Sequence, residues 1–66
     1  MKKLSDRQYE ILCLITEGKR VSQVAKELYL GQSTVRTHIK NLLVYLDANT
    51  QAQAVANAYK RGILKP

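Results

Sequence analysis

With a single cysteine, Cys13, the chain of 66 residues has no internal disulfide, and one Cys with one His, His38, cannot furnish a four-ligand zinc site. Neither a metal nor a cofactor is expected. Apolar residues make up 45% of the sequence but are spread along it, and no stretch approaches the ~20 consecutive apolar residues of a membrane span. The opening Met1-Lys2-Lys3-Leu4-Ser5-Asp6 is basic yet lacks the apolar segment of a secretory leader, so a cytoplasmic protein is expected. Also missing are a strand signal, an internal repeat, a low-complexity tract, a paired His and carboxylate set and a Gly-rich phosphate loop. Such a length holds one hydrophobic core and no pocket-sized cavity, which argues for one domain over residues 1–66, against an enzyme and against a small-molecule ligand.

The acids are few and unevenly placed. Eleven Lys and Arg against five Asp and Glu give a net charge of +6. Asp6, Glu10, Glu17 and Glu27 all precede Leu28, and Leu28 to Leu46 contains no acid while holding Arg36, His38 and Lys40. A surface that neutralises phosphates without repelling them has this character, so a polyanion is the expected partner.

Helical periodicity accounts for nearly the whole chain. Ser5-Asp6-Arg7-Gln8 fits a capping box, Ile11, Leu12, Leu14 and Ile15 follow at helical spacing, and Gly18 stands at the expected left-handed stop. Tyr9, Glu10, Cys13 and Glu17 fall opposite Ile11 and Ile15 on the helical wheel, which makes Cys13 an expected bystander outside the core. A short second helix over Val21 to Leu28 buries Val24, Ala25 and Leu28. After the interruption Tyr29-Leu30-Gly31, with Gly31 as N-cap, Val35, Ile39, Leu42 and Leu46 recur at steps of four, three and four. Opposite this stripe lie Ser33, Thr37, Lys40 and Val44, flanked by Arg36 and Asn41. Thr50-Gln51-Ala52-Gln53 reads as another capping box, opening an Ala-rich helix over about 50–61 that Gly62 ends. The fold class is therefore all-α.

Two helices joined by a three-residue turn, the second with a basic outer face, describe a helix-turn-helix unit over about 20–39. Ala25 is small where the helices cross, Leu30 plugs the turn, and Val35 anchors the second helix from below. The first turns of the helix over about 32–46 are then free to enter a DNA major groove, which is about 12 Å wide. Its last turn, with Val44 and Tyr45, carries no basic residue and is expected to face away.

These residues resemble the LuxR/FixJ/GerE-type DNA-binding domain of bacterial transcription regulators, over Leu4 to Leu64. The family opening Leu-Thr-x-Arg-Glu-x-Glu-Val-Leu corresponds to Leu4-Ser5-Asp6-Arg7-Gln8-Tyr9-Glu10-Ile11-Leu12, followed by Leu14-Ile15 and Gly18. The central Ile-Ala-x-x-Leu-x-Ile corresponds to Val24-Ala25-Lys26-Glu27-Leu28-Tyr29-Leu30, and Thr-Val-Lys-x-His to Thr34-Val35-Arg36-Thr37-His38. Ala54-Val55-Ala56-Asn57-Ala58 with Gly62-Ile63-Leu64 matches the family ending. The resemblance implies four helices, double-stranded promoter or operator DNA as partner, the third helix in the major groove, and a homodimer paired through the fourth. Arg36, Thr37 and Lys40 would meet base edges or nearby phosphates, and Ser33, Thr34 and Asn41 would add backbone contacts. His38 is expected to pack and hydrogen-bond on the helix flank and to touch phosphate, and Ala52, Ala56 and Tyr59 are expected at the dimer contact. The resemblance further implies the output half of a response regulator, with RNA polymerase as a candidate partner.

The sequence departs from the family pattern at four places. Arg20 and Val21 replace the usual Ser or Pro and Asn, so the second helix is expected to lack its cap. Asp47 stands where Gly usually ends the third helix, and Gln51 where Arg is common near the start of the fourth. Two rival readings share the fold: a protein-binding adaptor or anti-activator, and a promoter-recognition domain such as region 4 of a sigma factor. The Ala-rich last helix favours dimerisation over the latter. The four tyrosines, Tyr9, Tyr29, Tyr45 and Tyr59, are scattered over the chain and do not form a platform for stacking on single-stranded bases.

Overall fold

Four helices occupy the computed structural model, which describes residues 4–65: α1 (Asp6–Thr16), α2 (Val21–Leu28), α3 (Gln32–Tyr45) and α4 (Gln51–Lys60). Met1, Lys2 and Lys3, the basic part of the opening, lie outside the described residues. None of the helices among the described residues is long and apolar enough to cross a membrane.

The helix starts follow from side chains that meet free backbone N–H groups. Ser5 Oγ accepts from the Gln8 N–H at 3.1 Å while Gln8 Oε1 accepts from the Ser5 N–H at 3.1 Å, a complete capping box. Thr50 Oγ1 accepts from the Gln53 N–H at 3.1 Å, but Gln53 Oε1 reaches one residue further back, to the Asn49 N–H at 2.6 Å. The expected second box is thus half realised, its return bond displaced by one residue. At α2 the N-cap side chain makes no cap hydrogen bond, as expected. The Arg20 guanidinium has no acceptor, yet Gln23 Oε1 accepts from the Arg20 N–H at 2.9 Å and supplies the return half of a box.

All four helices end in the same way, with a left-handed residue and a pair of closing hydrogen bonds. The Lys19 N–H donates to the Leu14 carbonyl, Leu30 to Ala25, Ala48 to Leu43, and Ile63 to Ala58, at 2.9 to 3.1 Å. Two of the left-handed positions are glycines, Gly18 and Gly62. The other two are Tyr29 at φ 57° and Asp47 at φ 53°. A residue with a Cβ pays about 1–2 kcal/mol for this conformation, and Asp less than Tyr because its short polar side chain tolerates it. Against the added chain entropy of glycine, about 0.5–1 kcal/mol, Tyr29→Gly is expected to stabilise the fold by up to about 1 kcal/mol, and Asp47→Gly by less. Thermal melts check this: the first variant should rise by a few degrees, and a fall in Tm for Tyr29→Gly would contradict the account.

The core is built around the underside of α3. Val35, Ile39, Leu42 and Leu46 are buried there against Ile11 and Leu12 of α1, Val24 and Ala25 of α2, and Ala54 and Ala58 of α4, with Leu64 closing the end. Each fully buried Leu, Ile or Val contributes roughly 1.5–3 kcal/mol of transfer free energy. Ala54 and Ala58 let α4 approach closely, as their small side chains allow. Cys13 is not among the buried core residues, as expected, but it is half-buried and packs against them and so is not a mere bystander. The wheel places it away from Ile11, but the C-terminal segment returns to that side, so that Tyr9, Cys13, Tyr59, Ile63 and Leu64 line one shared depression. The neighbouring Cys13 also raises the Tyr9 phenol above its ordinary pKa, first through a side-chain hydrogen bond and then through electrostatic repulsion of the phenolate.

Candidate nucleic-acid interface

Because α3 is pinned along one stripe, its opposite stripe projects from the domain. Val35 and Ile39 are buried, whereas Arg36, Thr37 and Lys40 beside them are exposed, as are Ser33, Thr34 and Asn41. The angle of projection is set by the crossing of α2 and α3, where Ala25 is 5% exposed and Val35 fully buried, with Leu30 half-buried in the turn. Six of the seven side chains expected to meet nucleic acid therefore lie together on one open surface.

Local hydrogen bonds order part of it. The Arg36 guanidinium donates to Gln32 Oε1 at 3.3 Å, and Thr37 Oγ1 donates to the Ser33 carbonyl at 3.0 Å. Gln32, exposed at the first position of α3, was not among the residues expected from sequence. Its position four residues before Arg36 is the signal that could have found it. His38, the seventh, is half-buried, and its Nδ1 is enclosed without a hydrogen-bond partner. The ring is thus partly packed, and its Nδ1 makes no hydrogen bond. Val44, in the last turn of α3, is 76% exposed and sits beside Lys40, Leu43, Asp47 and Asn49.

Electrostatics favour an anion at the near end of the helix. Gly31 offers no side-chain cap, so the first N–H groups of α3 keep their partial positive charge free of any carboxylate or hydroxyl. The nearest preceding acid, Glu27, is engaged by Lys19 Nζ at 2.7 Å. That bond holds the Lys19 ammonium above its ordinary pKa, chiefly through the hydrogen bond to Glu27 and then through its charge. Arg7 and Glu10 form a looser pair at 3.7 Å on exposed α1, of a kind that contributes little to stability. Among the described residues no three His, Cys, Asp or Glu side chains gather to hold a metal ion.

On α4 the residues expected at a dimer contact share one side. Ala52, Ala56 and Tyr59 are exposed, whereas Ala54 and Ala58 face the core. The other flank of α4 grips the end of α3. Asn57 Nδ2 donates to the Leu46 carbonyl at 2.8 Å and to that of Asp47 at 3.4 Å, and the Arg61 guanidinium donates to the Tyr45 carbonyl at 2.9 Å.

Comparison with known proteins agrees with this architecture. The family described as "Bacterial regulatory proteins, luxR family" matches residues 2–58. The chain is 41% identical over 61 residues to the transcriptional regulatory protein LiaR of Bacillus subtilis (strain 168), covering 92% of this chain and 29% of that protein. It is 39% identical over 61 residues to the probable transcriptional regulatory protein NarL of Mycobacterium tuberculosis (strain ATCC 25618 / H37Rv), covering 92% of this chain and 28% of that protein. The chain thus spans less than a third of the length of these relatives. Among solved structures, the transcription factor GerE superposes with a TM-score of 0.88 at 26% identity, over 98% of this chain and 97% of GerE. The response regulator ChrA of a heme-sensing two-component system gives a TM-score of 0.92 at 26% identity, over 97% of this chain and 32% of ChrA. An exposed, acid-free α3 on a four-helix scaffold and a family match across most of the sequence lead to one conclusion: the chain belongs to the luxR family of bacterial regulatory proteins and is a helix-turn-helix DNA-binding domain of that family.

Proposed function

We propose that the chain regulates transcription by reading two half-sites of duplex DNA as a homodimer, with α3 of each copy in the major groove. The observation that carries this reading is the one-sided construction of α3: an apolar stripe sunk in the core and an exposed stripe of Ser33, Thr34, Arg36, Thr37, Lys40 and Asn41 with no acid among them. Arg36 and Lys40 supply charge and donors for base edges and phosphates, and Thr37 a hydroxyl and a methyl group. Ser33, Thr34 and Asn41 hold the backbone on either side, while His38 steadies the flank of the helix beside it. Pairing through Ala52, Ala56 and Tyr59 of α4 leaves both copies of α3 free, because that side of α4 is turned away from the core.

Titration of a labelled duplex at several salt concentrations tests the DNA reading. With about six phosphate contacts, affinity should fall by on the order of a thousandfold between about 50 and 200 mM salt. Binding that is absent at the lower salt, or indifferent to salt, would remove it. Half-sites selected from a random pool then allow the dimer to be weighed on DNA by sedimentation; one copy on a duplex with two half-sites would remove the homodimer.

A further inference from the structure

The last turn of a helix leaves carbonyl groups that no N–H of its own can meet. In α3 the turn itself meets the Leu43 and Val44 carbonyls, and the carbonyls that follow are met from α4. Asn57 and Arg61 stand one helical turn apart on one flank of α4, and between them they donate to the carbonyls of Tyr45, Leu46 and Asp47 at 2.9, 2.8 and 3.4 Å. Arg61 also brings a positive charge to the negative end of the α3 dipole. These bonds bridge 10 to 16 residues of sequence. They connect the helix proposed to read DNA with the helix proposed to pair the two copies. Ala52, Ala56 and Tyr59, on the opposite side of α4, are left free by this arrangement.

The core side of α4 presents small apolar side chains, Ala54 and Ala58, with Val55 half-buried beside them. Such packing resists separation but has no preferred direction, so it restrains a rotation or slide of α3 along α4 weakly. Hydrogen bonds are directional and weaken steeply off axis, and three of them at one end of α3 fix its orientation. We propose that Asn57 and Arg61 are positioning residues that lock α3 to α4 and so set the separation of half-sites that the dimer accepts. The proposal rests on the dimer reading above. Two α3 helices rigidly attached to one α4 pair meet the groove at a fixed distance and rotation, and adding one base pair between the half-sites changes both.

The test uses the 66-residue chain and a series of duplexes carrying two selected half-sites whose separation is varied in steps of one base pair, with a single-half-site duplex alongside. The unaltered chain should show one preferred separation and lose about tenfold in affinity one base pair away from it. In Asn57→Ala/Arg61→Ala the loss should shrink to about twofold, while affinity for the single half-site stays within about threefold of the unaltered chain. Arg61→Lys, which keeps a cationic donor, should restore part of the preference. A double variant that keeps the original optimum and the original loss overturns the proposal and leaves the dimer reading intact. An unaltered chain that binds all separations equally overturns the dimer reading, and the proposal with it. If the double variant does not fold, Arg61→Ala carries the same comparison, since Arg61 is exposed and its bond is to an exposed carbonyl.

Discussion

Leu42→Ala is expected to bring the domain to the edge of unfolding. Leu42 is 1% exposed beneath α3 and is among the largest fully buried side chains. Truncating such a residue costs about 2–5 kcal/mol, from lost transfer free energy and from the cavity left behind. At roughly 0.05–0.15 kcal/mol per residue, a domain of this size has only about 3–10 kcal/mol in total. Val44, two residues further along the same helix, is 76% exposed, and Val44→Ala should change stability by less than about 0.5 kcal/mol. Urea unfolding of the two variants side by side separates packing from helix propensity. A loss below about 1 kcal/mol for Leu42→Ala would mean that α3 is not anchored as described.

Arg36→Ala and Lys40→Ala are expected to do the reverse, leaving stability unchanged while weakening DNA binding. Both side chains are exposed. Each should cost about 1–3 kcal/mol, or roughly 5- to 150-fold in affinity, where it makes a specific base contact. A residue that touches only phosphate would weaken binding to every sequence alike and reduce the salt slope by about one. Arg36 is the stronger candidate for base contact, since Gln32 already holds its guanidinium along the helix at 3.3 Å and less freedom is lost on binding. Unchanged affinity in both variants, with the fold intact, would turn attention to the protein-binding adaptor that shares this architecture.

What the sequence discloses here is mostly local. Ser5 and Gln8 stand three residues apart, and their bonds need only the first turn of α1 to form. The stripe Val35, Ile39, Leu42 and Leu46 is legible because a helix facing one core must repeat its apolar residues at that period. What escapes depends on contacts between distant segments. Cys13 shares a depression with Tyr59, Ile63, Leu64 and Lys65, and a wheel drawn for α1 alone contains nothing of that return. The bonds from Asn57 and Arg61 to α3 exist only once the two helices are packed. Gln23 is legible in principle, being three residues after Arg20, because the return half of a capping box needs no acceptor on the N-cap side chain. Tyr29 escaped for another reason: nothing in its side chain favours a left-handed backbone, and the turn imposes it. At the interface, the pattern separates Arg36, Thr37 and Lys40 from the core side of α3. It gives no hint of the enclosed Nδ1 of His38, which depends on how the ring lies against its neighbours.

The helix proposed to enter DNA also packs against each of the other three, as α1 does. Folding and binding therefore draw on one element, and an operator that holds α3 holds the domain. Free DNA at about a hundred times its dissociation constant should add about 2.7 kcal/mol to the unfolding free energy. The melting temperature of this small protein is thus a label-free gauge of occupancy, and a substitution that loosens its core will be partly masked whenever its operator is present.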